Sequence, residues 1–446
     1  MKSFLSALAL LAVCSVASSA HAAEARKPNI VLIFADDYGL PGVGCYGGAY
    51  KTPNLDALAA GGQRYTHCYA MPLCGPSRAT VLSGRYTFRN GVLTNQFGDA
   101  YKPSDSPSVA VALKSAGYAT AVAGKWGQLS HFNNTVDGKA WGFDAALVWN
   151  PGGDNEKGSR FWDPVYFQEG KEIDGKGKYG PDLLHDFTVD FIKRHRDEPF
   201  FVYYPTPLVH GPILHTPDSK NQTDEKKNKF ASDHYADNVA YLDKLVGKLV
   251  AELDALKLRE NTLIVFTGDN GSTGAGPFTV DGKTISGKKG SMLEGGSRVP
   301  LIVNWQGTTP AGKVVDDLVD FTDFYATFVE LAGGKMPEGT KFDGHSFAPR
   351  VRGETGTPRS SVFVQLGAQW YARSKDWKLD QSGQLFSMKN APFEQISIAA
   401  DANDPAAEKA RGELKAALAE LNPAGGKTGG RPGGKKVKKK KAAAAE

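Results

Sequence analysis

Four side chains with oxygen donors follow two apolar runs of the chain, and together they indicate a site for a hard divalent cation. Asp36 and Asp37 come directly after one run, and Asp269 and Asn270 follow another. Adjacent carboxylates repel each other, so a pair at a buried strand end is stabilised by a cation. Oxygen donors without a neighbouring thiolate or imidazole favour Ca²⁺, with Mg²⁺ second, over Zn²⁺. The alternative is that each pair only forms a turn.

A cysteine-containing stretch carries the most informative pattern in the chain. It reads Cys74-Gly75-Pro76-Ser77-Arg78 and continues Ala79-Thr80-Val81-Leu82-Ser83-Gly84-Arg85. This resembles the sulfatase signature, Cys-x-Pro-Ser-Arg followed by x-x-x-Leu-(Thr or Ser)-Gly-Arg, at every fixed position over twelve residues. The alternative for Cys74 is a buried or disulfide-bonded cysteine.

Further segments resemble the same family, in the family's order. Pro28–Asp37 corresponds to the family's opening strand with the aspartate pair, and Thr267–Gly271 corresponds to its second metal segment. Lys289–Pro300 corresponds to its Lys-Gly…Glu-Gly-Gly…Arg-Val-Pro block. Trp377–Gln395 resembles the family's C-terminal strands more faintly. The resemblance is to formylglycine-dependent, arylsulfatase-like enzymes. It implies the fold of alkaline phosphatase relatives, with a smaller C-terminal sheet domain.

The resemblance implies that a formylglycine-generating enzyme oxidises Cys74 to Cα-formylglycine during export. The aldehyde adds water to give a gem-diol, and one hydroxyl attacks sulfur and expels the alcohol. The second hydroxyl then loses its proton, and sulfate leaves by C–O cleavage, which splits one hard step into two. The conversion also resolves the odd number of cysteines left after leader removal, because Cys45 and Cys68 are then the two that can pair.

The resemblance also implies a ligand set for the cation. Ca²⁺ is implied to be held by Asp36, Asp37, Asp269, Asn270 and residue 74. Such a cation lowers the pKa of the attacking hydroxyl and polarises a sulfate oxygen.

Four basic residues receive roles from the resemblance. Arg78, one helical turn after the cysteine, is implied to hold the diol and balance charge. Lys125 and Lys289 are implied to contact the sulfate group as fixed positive charges. His210 is implied to face the leaving-group oxygen as a general acid or donor. Taken alone, each lysine is more often a solvated surface residue, and His215 competes with His210.

One departure from the family affects the release of sulfate. Many members have Gly-Lys-Trp-His after the third strand, and that histidine assists the diol, whereas Gly127 takes its position here. Gln128 and His131 are the nearby replacements, but glutamine cannot accept a proton at neutral pH. The chain therefore lacks the family's usual base for collapse of the sulfated intermediate.

We predict from this departure that release of sulfate from residue 74 is slow unless His131 folds back into the site, because loss of a general base costs about 10²–10⁴-fold. Rapid-mixing assays should show a burst of alcohol followed by a slow steady rate. Where His131 substitutes for the missing base, His131→Ala should enlarge that burst. A burst-free wild-type trace that His131→Ala leaves unchanged would contradict both ideas.

The elements that must position these residues alternate between strands and helices. Apolar runs typical of buried parallel strands lie at Asn29–Phe34, Ala119–Ala123, Phe200–Tyr204, Leu263–Thr267 and Val299–Val303. Helices are predicted at Pro53–Ala60, His234–Leu258 and Asp323–Leu331. The alternation predicts an α/β fold, with a mostly parallel central sheet flanked by helices. The polar residues at the carboxyl ends of parallel strands then face one crevice.

The pattern changes near Ser361. Short, closely spaced strands are predicted at Val362–Val364, Trp370–Ala372, Trp377–Leu379 and Leu385–Phe386, and a helix over 402–421. These predict a smaller antiparallel sheet subdomain. We therefore expect a signal peptide at 1–22, a catalytic domain at 27–355, a C-terminal α+β subdomain at 356–422 and a disordered Lys-rich tail at 423–446.

The N-terminus has the features of a secretory signal, namely Lys2, the apolar run Phe4–Val16 and a cleavage site at Ala20-His21-Ala22. We expect a secreted or periplasmic protein with no membrane span after cleavage. The net charge of +5 hides a charge of +7 in residues 423–446 and +1 at Lys2, which leaves −3 elsewhere. A mildly acidic body gives no reason to expect a nucleic-acid partner, and the tail is interpreted as solvated.

The sequence thus predicts an exported sulfatase that acts on a sulfated carbohydrate or an aryl sulfate. A phospho- or phosphonate-ester hydrolase of the same superfamily is the rival enzyme, because both transferred groups are tetrahedral. A catalytically weakened binder of sulfated glycan is the rival of another class, motivated by Gly127 and the basic tail. The aromatic residues Trp149, Trp162, Tyr166 and Phe167 are interpreted equally as sugar-stacking surfaces or as core.

Overall fold

The computed structural model describes residues 27–95, 100–126, 138–149, 158–223, 234–274 and 278–426. The predicted signal peptide, residues 427–446 of the predicted tail, and Gly127, Gln128 and His131 lie outside the described residues. Pro423–Gly425, which the sequence assigned to the tail, form a turn of 3₁₀ helix. Within the described ranges, no helix combines the length and apolar character needed to cross a membrane.

Ten strands form the central sheet, and a separate ribbon of two strands accompanies it. In chain order they are β1 (Asn29–Ala35), β2 (Gln63–Tyr69), β3 (Ala119–Lys125), β4 (Ala145–Trp149), β5 (Phe167–Gln168), β6 (Lys171–Glu172), β7 (Phe200–Tyr204), β8 (Thr262–Gly268), the ribbon strands β9 (Thr279–Val280) and β10 (Lys283–Thr284), β11 (Arg298–Trp305) and β12 (Lys313–Asp320). The order across the central sheet is β12-β2-β11-β8-β1-β7-β3-β4-β5-β6. Since β1 pairs in parallel with β7 and β8, and β3 with β7 and β4, the predicted α/β class with a mostly parallel sheet is confirmed.

One predicted parallel strand has the opposite direction. The run Val299–Val303 lies in β11, which runs antiparallel between β8 and β2. The chain leaves β8 and enters β11 at the same edge of the sheet. A connection that does not return to the opposite edge produces an antiparallel neighbour, and apolar content alone does not reveal that route. The expectation for this strand's direction was therefore wrong.

Helices cover both faces of the sheet. In chain order they are α1 (Pro53–Ala60), α2 (Cys74–Ser83), α3 (Thr87–Asn90), α4 (Val109–Ser115), α5 (Gly180–Arg194), α6 (Tyr235–Ala255), α7 (Glu294–Ser297), α8 (Asp323–Leu331), α9 (Ala348–Val351) and α10 (Pro405–Leu421). Side chains alternate along β1, so Leu32 and Phe34 pack with residues of α2, α4 and α8. Val31 and Ile33 pack on the other face, with residues of α1, α5 and α6. Both faces of β1 are therefore buried, as its continuous apolar sequence predicts.

A second sheet follows in the C-terminal part of the chain. Its five strands are antiparallel and lie in chain order, β13 (Val362–Leu366), β14 (Gln369–Arg373), β15 (Trp377–Asp380), β16 (Leu385–Ser387) and β17 (Ile396–Ile398). Helix α10 packs against it through Ala407 and Leu414, which contact Leu379 and Leu385. The predicted smaller antiparallel sheet is confirmed.

A buried polar network, here called the inter-sheet lock, joins the C-terminal sheet to the segment that precedes β11. Arg373 Nη1 of β14 lies 2.5 Å from Glu294 Oε1, and the Tyr69 hydroxyl donates to Glu294 Oε2 at 3.0 Å. Lys378 Nζ of β15 donates to the carbonyl oxygen of Met292 at 2.6 Å. The second sheet therefore contacts the segment 289–294 at two points, the Glu294 side chain and the Met292 carbonyl oxygen.

We predict that Glu294→Gln destabilises the protein by about 3–5 kcal/mol, because it leaves the buried Arg373 guanidinium without its carboxylate. Burial works to raise the pKa of Glu294, but Arg373 and then Arg298 outweigh it and lower the pKa from 4.5 to about 2. A depressed pKa gives stability that is complete above pH 4.5 and is lost as the pH falls towards 2. Urea unfolding should therefore show a wild-type advantage that shrinks over this pH range.

A surface ion pair provides the control for this prediction. Glu330 pairs with Arg352 at 3.0 Å, and both side chains are about one third exposed. We expect Glu330→Gln to change the free energy of unfolding by less than about 1 kcal/mol. Equal effects of the two substitutions at neutral pH would refute a special contribution from the buried pair.

The pairing considered for Cys45 and Cys68 is not formed. Cys45, Cys68 and Cys74 are all free cysteines. Cys68 lies in the core on one face of the central sheet, whereas Cys45 packs against the core of the other face. The sheet itself separates the two sulfur atoms, which sequence spacing cannot reveal.

Candidate active site

The four predicted oxygen donors lie together at one edge of the central sheet. Asp36 and Asp37 follow β1, Asp269 and Asn270 follow the neighbouring β8, and all four are fully buried. The backbone N–H of Asp37, a residue with φ of 60°, donates to Asp269 Oδ1 at 2.9 Å. A short polar side chain tolerates this left-handed conformation. The two strand ends thus bring the donors into one cluster, although their role as ligands stays a prediction.

Two glycines allow this edge to pack closely. A Cβ atom on Gly268 would lie 1.8 Å from the carbonyl oxygen of Tyr38, and one on Gly271 would lie 1.6 Å from that of Gly295. No other residue fits at either position. The two glycines around Asp269 and Asn270 are therefore required by backbone packing.

Cys74 lies in the same cluster, at the first position of helix α2. Pro76 fits in the first turn because its missing N–H would have no partner within the helix. The Cys74 Sγ atom is 4.0 Å from Asp37 Oδ1, and the ligating atoms of Asp36, Asp37, Cys74 and His210 all lie within 4.8 Å of one another. Burial raises the pKa of the thiol to about 11. The unmodified side chain is therefore protonated at neutral pH and is a poor nucleophile.

Three cations pair with three carboxylates at this edge. Lys125 Nζ lies 2.6 Å from Asp36 Oδ2, Lys289 Nζ lies 2.6 Å from Asp37 Oδ1, and Arg78 Nη2 lies 2.7 Å from Asp269 Oδ2. The predicted basic residues come from three different elements. Lys125 ends β3, Arg78 lies one turn into α2, and Lys289 precedes β11. The sheet edge thus collects all three.

The carboxylates respond to their surroundings in opposite ways. Burial works to raise the pKa of Asp36, but Lys125, followed by His210 and Arg78, holds it well below its usual range. Burial and the negative charge of Asp36 raise the pKa of Asp269 to about 7, against the opposing effect of Arg78. An additional divalent cation would stabilise the ionised form of all three carboxylates.

The oxygen donors of the cluster fit a hard cation, although the thiol of Cys74 and the imidazole of His210 also lie here, contrary to the expectation of a site without sulfur or nitrogen donors. Within the described residues, Asp36 Oδ1, Asp37 Oδ2 and Asn270 Oδ1 are buried oxygens without a hydrogen-bond donor. Asn270 donates through Nδ2 to Asp37 Oδ1 at 2.9 Å, which fixes its amide orientation. A buried oxygen without a partner costs free energy, and coordination of Ca²⁺ or Mg²⁺ removes that cost.

His210 enters the cluster from the loop after β7. Its Nε2 lies 3.7 Å from Asp37 Oδ2, and its Nδ1 lies 2.6 Å from the carbonyl oxygen of Gly211. A carbonyl oxygen only accepts, so Nδ1 carries the proton of the neutral ring. Burial lowers the pKa of His210 to about 4, which leaves Nε2 unprotonated at neutral pH. The competing His215 instead stacks on Trp162, with 5.1 Å between the ring centroids.

Arg160 is a site residue that the sequence reasoning missed. Its Nη1 lies 3.2 Å from His210 Nδ1 and 4.0 Å from Asp36 Oδ2, and its guanidinium carbon lies 3.8 Å from the centroid of the Trp149 ring. Arg160 follows no predicted strand, so the argument from strand ends could not find it. The available signal was an arginine followed by two aromatic residues, in Ser159-Arg160-Phe161-Trp162.

The four aromatic residues near this segment favour the core interpretation. Trp149 and Tyr166 are buried, and Trp162 and Phe167 are partly buried against the two cores of the sheet. Trp149 additionally presents its ring to Arg160. These side chains thus support the wall of the site.

Family models match nearly the whole described chain. The Sulfatase model matches residues 28–334, which contain every described residue of the cluster. The model named N-sulphoglucosamine sulphohydrolase, C-terminal, matches residues 287–422 and so covers the second sheet.

Individual sulfatases give the same result. The chain is 32% identical to N-acetylgalactosamine-6-sulfatase of Canis lupus familiaris over 384 residues, which are 80% of this chain and 72% of that protein. It is 33% identical to arylsulfatase A of Homo sapiens over 387 residues, covering 78% and 72%. The solved structure of Ps i-CgsB in complex with k-i-k-neocarrahexaose has a TM-score of 0.74 at 28% identity, covering 90% and 94%. The chain that carries this cluster therefore belongs to the sulfatase family and is a hydrolase of sulfuric esters.

Proposed function

We propose that this sulfatase is exported and cleaves a sulfate ester of a sulfated carbohydrate or an aryl alcohol, with residue 74 in its formylglycine form. The observation that carries the proposal is the position of Cys74, whose sulfur lies within 4.8 Å of the ligating atoms of Asp36, Asp37 and His210. A buried, protonated thiol there is a weak nucleophile and a weak ligand for a hard cation. A hydrated aldehyde supplies good oxygen donors for both purposes.

The cation proposed for this cluster is Ca²⁺, with Mg²⁺ as second choice. It would be held by Asp36, Asp37, Asp269, Asn270 and residue 74. When bound, it supplies positive charge that acidifies an attacking hydroxyl and polarises a sulfate oxygen. Two of the carboxylates are already oriented by hydrogen bonds within the chain. The Asp37 N–H donates to Asp269 at 2.9 Å, and Asn270 Nδ2 donates to Asp37 at 2.9 Å.

Residue 74 lies at the N-terminus of α2, where backbone N–H groups favour negative charge. A hydrated formylglycine there supplies two hydroxyls on one carbon. One hydroxyl attacks the sulfur of the ester, and the other permits the later release of sulfate. Arg78 of the same helix lies 2.7 Å from Asp269 and 3.8 Å from Asp36. Its guanidinium is also 5.3 Å from the centroid of the Phe34 ring. We propose that Arg78 holds the diol and balances the carboxylates.

Lys125 and Lys289 are proposed to bind the sulfate group. Both are buried or nearly so, and their ion pairs to Asp36 and Asp37 fix their ammonium groups beside residue 74. Fixed positive charge in a site with little water stabilises the charge that accumulates on the sulfuryl oxygens. His210 is proposed to face the leaving oxygen through Nε2, which donates once it has gained a proton.

Two comparisons support a sulfated carbohydrate as the substrate class. Ps i-CgsB was solved in complex with a neocarrahexaose, and the canine relative is named as an N-acetylgalactosamine-6-sulfatase. The leader pattern at residues 1–22 supports export. We also propose the division into a catalytic domain at 27–355 and a C-terminal subdomain at 356–422, with the inter-sheet lock between them.

Mass spectrometry of the tryptic peptide that contains residue 74 tests the modification directly. We expect the aldehyde or its hydrate, and a free thiol in active, natively expressed protein would contradict the proposal. Rates on an aryl sulfate and on a matched aryl phosphate diester should favour the sulfate. A preference for the phosphate diester would support the rival phosphoester hydrolase. A panel of sulfated glycans would then identify the substrate.

A further inference from the structure

The backbone of Arg160 is fixed at the wall of the site. Ser159 forms a bridge with Pro164, and Phe161 accepts a hydrogen bond from the Gly180 N–H at 2.7 Å. The carbonyl oxygen of Arg160 accepts from the Tyr166 hydroxyl at 2.6 Å. The guanidinium stacks on Trp149 with 3.8 Å between its carbon and the ring centroid. A long side chain held in this way loses little additional freedom when it binds a ligand.

Arg160 is a fourth cation at an edge that has three carboxylates. Lys125 already pairs with Asp36 at 2.6 Å, while Arg160 Nη1 lies 4.0 Å from the same oxygen. Asp37 and Asp269 have their own partners, Lys289 and Arg78. Among the described residues, Arg160 therefore has no carboxylate within hydrogen-bond distance.

His210 is also a poor partner for this guanidinium. Arg160 Nη1 approaches His210 Nδ1 at 3.2 Å, but Nδ1 already donates its proton to the Gly211 carbonyl. Two donors facing each other do not form a hydrogen bond. Burial lowers the pKa of Arg160, against the effect of Asp36. The side chain is still 14% exposed, so an anion can reach it.

We propose that Arg160 is a substrate-binding residue, whose guanidinium takes an anionic oxygen group of the sulfated substrate. This inference rests on the proposed function of the same site and names a contact that the family signature does not assign. The anionic group is either the transferred sulfate or a second anionic substituent on the leaving alcohol. A guanidinium presents several N–H donors in one plane, which suits both groups.

Binding to a variant that cannot turn over tests the contact separately from catalysis. The probes are 4-nitrophenyl sulfate and the same ester with an ortho carboxylate, titrated into calcium-loaded Cys74→Ala and Cys74→Ala/Arg160→Gln by calorimetry. We expect Arg160→Gln to raise the Kd of at least one ester by about 10-fold to 100-fold, the usual effect of losing a charge-assisted hydrogen bond. Arg160→Lys should recover part of this loss.

The two probes distinguish the two sources of the anion. An equal rise in Kd for both esters assigns Arg160 to the transferred sulfate, whereas a rise for the carboxylate ester alone assigns it to a second anion. Arg194 stacks on Phe191 at 5.9 Å on the exposed surface, so Arg194→Gln is the matched control and should change neither Kd.

Unchanged Kd values for both esters in the Arg160→Gln variant would overturn the inference. A fall in kcat with a shifted pH profile at constant KM, in protein with modified residue 74, would instead make Arg160 a positioning residue for His210 and would also overturn it. Failure of the proposed function is a separate result, namely no turnover of either ester by fully modified wild-type protein. The binding comparison remains decisive in that case.

Discussion

Cys74→Ala is expected to lower the turnover of sulfate esters by about 10⁴–10⁶-fold, the size of effect seen when a nucleophile is removed. The fold should persist, because the thiol is neutral and its contact with Asp37 Oδ1, at 4.0 Å from the sulfur, is a weak one. Removal of one buried sulfur atom costs on the order of 1 kcal/mol. Steady-state assays and thermal unfolding of the same preparation measure the two effects.

Cys74→Ser is the informative companion variant. Its single hydroxyl can attack sulfur, but a serine sulfate has no second hydroxyl to expel the sulfate. We expect at most one equivalent of alcohol per protein molecule, with a mass increase of one sulfuryl group on residue 74. Sustained turnover by Cys74→Ser or Cys74→Ala would show that another side chain is the nucleophile.

Asp36→Asn is expected to lower metal content and activity together, with turnover reduced by about 10²–10³-fold or more. The substitution keeps the shape of the side chain but removes a charge that pairs with Lys125 at 2.6 Å. It therefore removes a proposed ligand and leaves a buried ammonium group uncompensated. Elemental analysis after dialysis, in parallel with activity against a sulfate ester, measures both losses.

An exposed aspartate provides the control for the metal. Asp316 pairs with Lys375 at 2.7 Å on the surface, and its side chain is 62% exposed. We expect Asp316→Asn to keep both metal and activity. Full activity of wild-type protein after exhaustive chelation, with no metal detected, would refute a metal requirement and with it the role given to the carboxylates.

The strands of the central sheet differ in how far the sequence predicts them. β1, β3, β7 and β8 are buried on both faces, so each is a continuous apolar run with clear ends. β2 and β12 mix polar and apolar residues, and β12 contains three aspartates, so neither has a strand pattern. Their stability comes from pairing with strands that are distant in the sequence, and local residue preferences carry no information about that pairing.

The site shows the same division between local and distant information. The strand-end residues Asp36, Asp269 and Lys125 were placed together because parallel strands share an edge. Arg160 comes from an irregular segment, and its position depends on contacts with Trp149, Tyr166 and Gly180. The spacing of residues along the chain does not specify those contacts. The inter-sheet lock was missed for the same reason, since Arg373 and Glu294 are 79 residues apart.

The inter-sheet lock also has a consequence for the timing of maturation. Cys74 has no exposed surface in the folded protein, and the lock that fixes the Lys289 segment beside it uses β14 and β15, which are synthesised long after α2. If an enzyme modifies Cys74, that reaction competes with folding, because the enzyme can no longer reach Cys74 after the second sheet has docked. Mutations that delay docking, such as those of Arg373, should therefore raise the modified fraction even as they weaken the finished protein. Faster folding would release molecules that are stable yet permanently inactive.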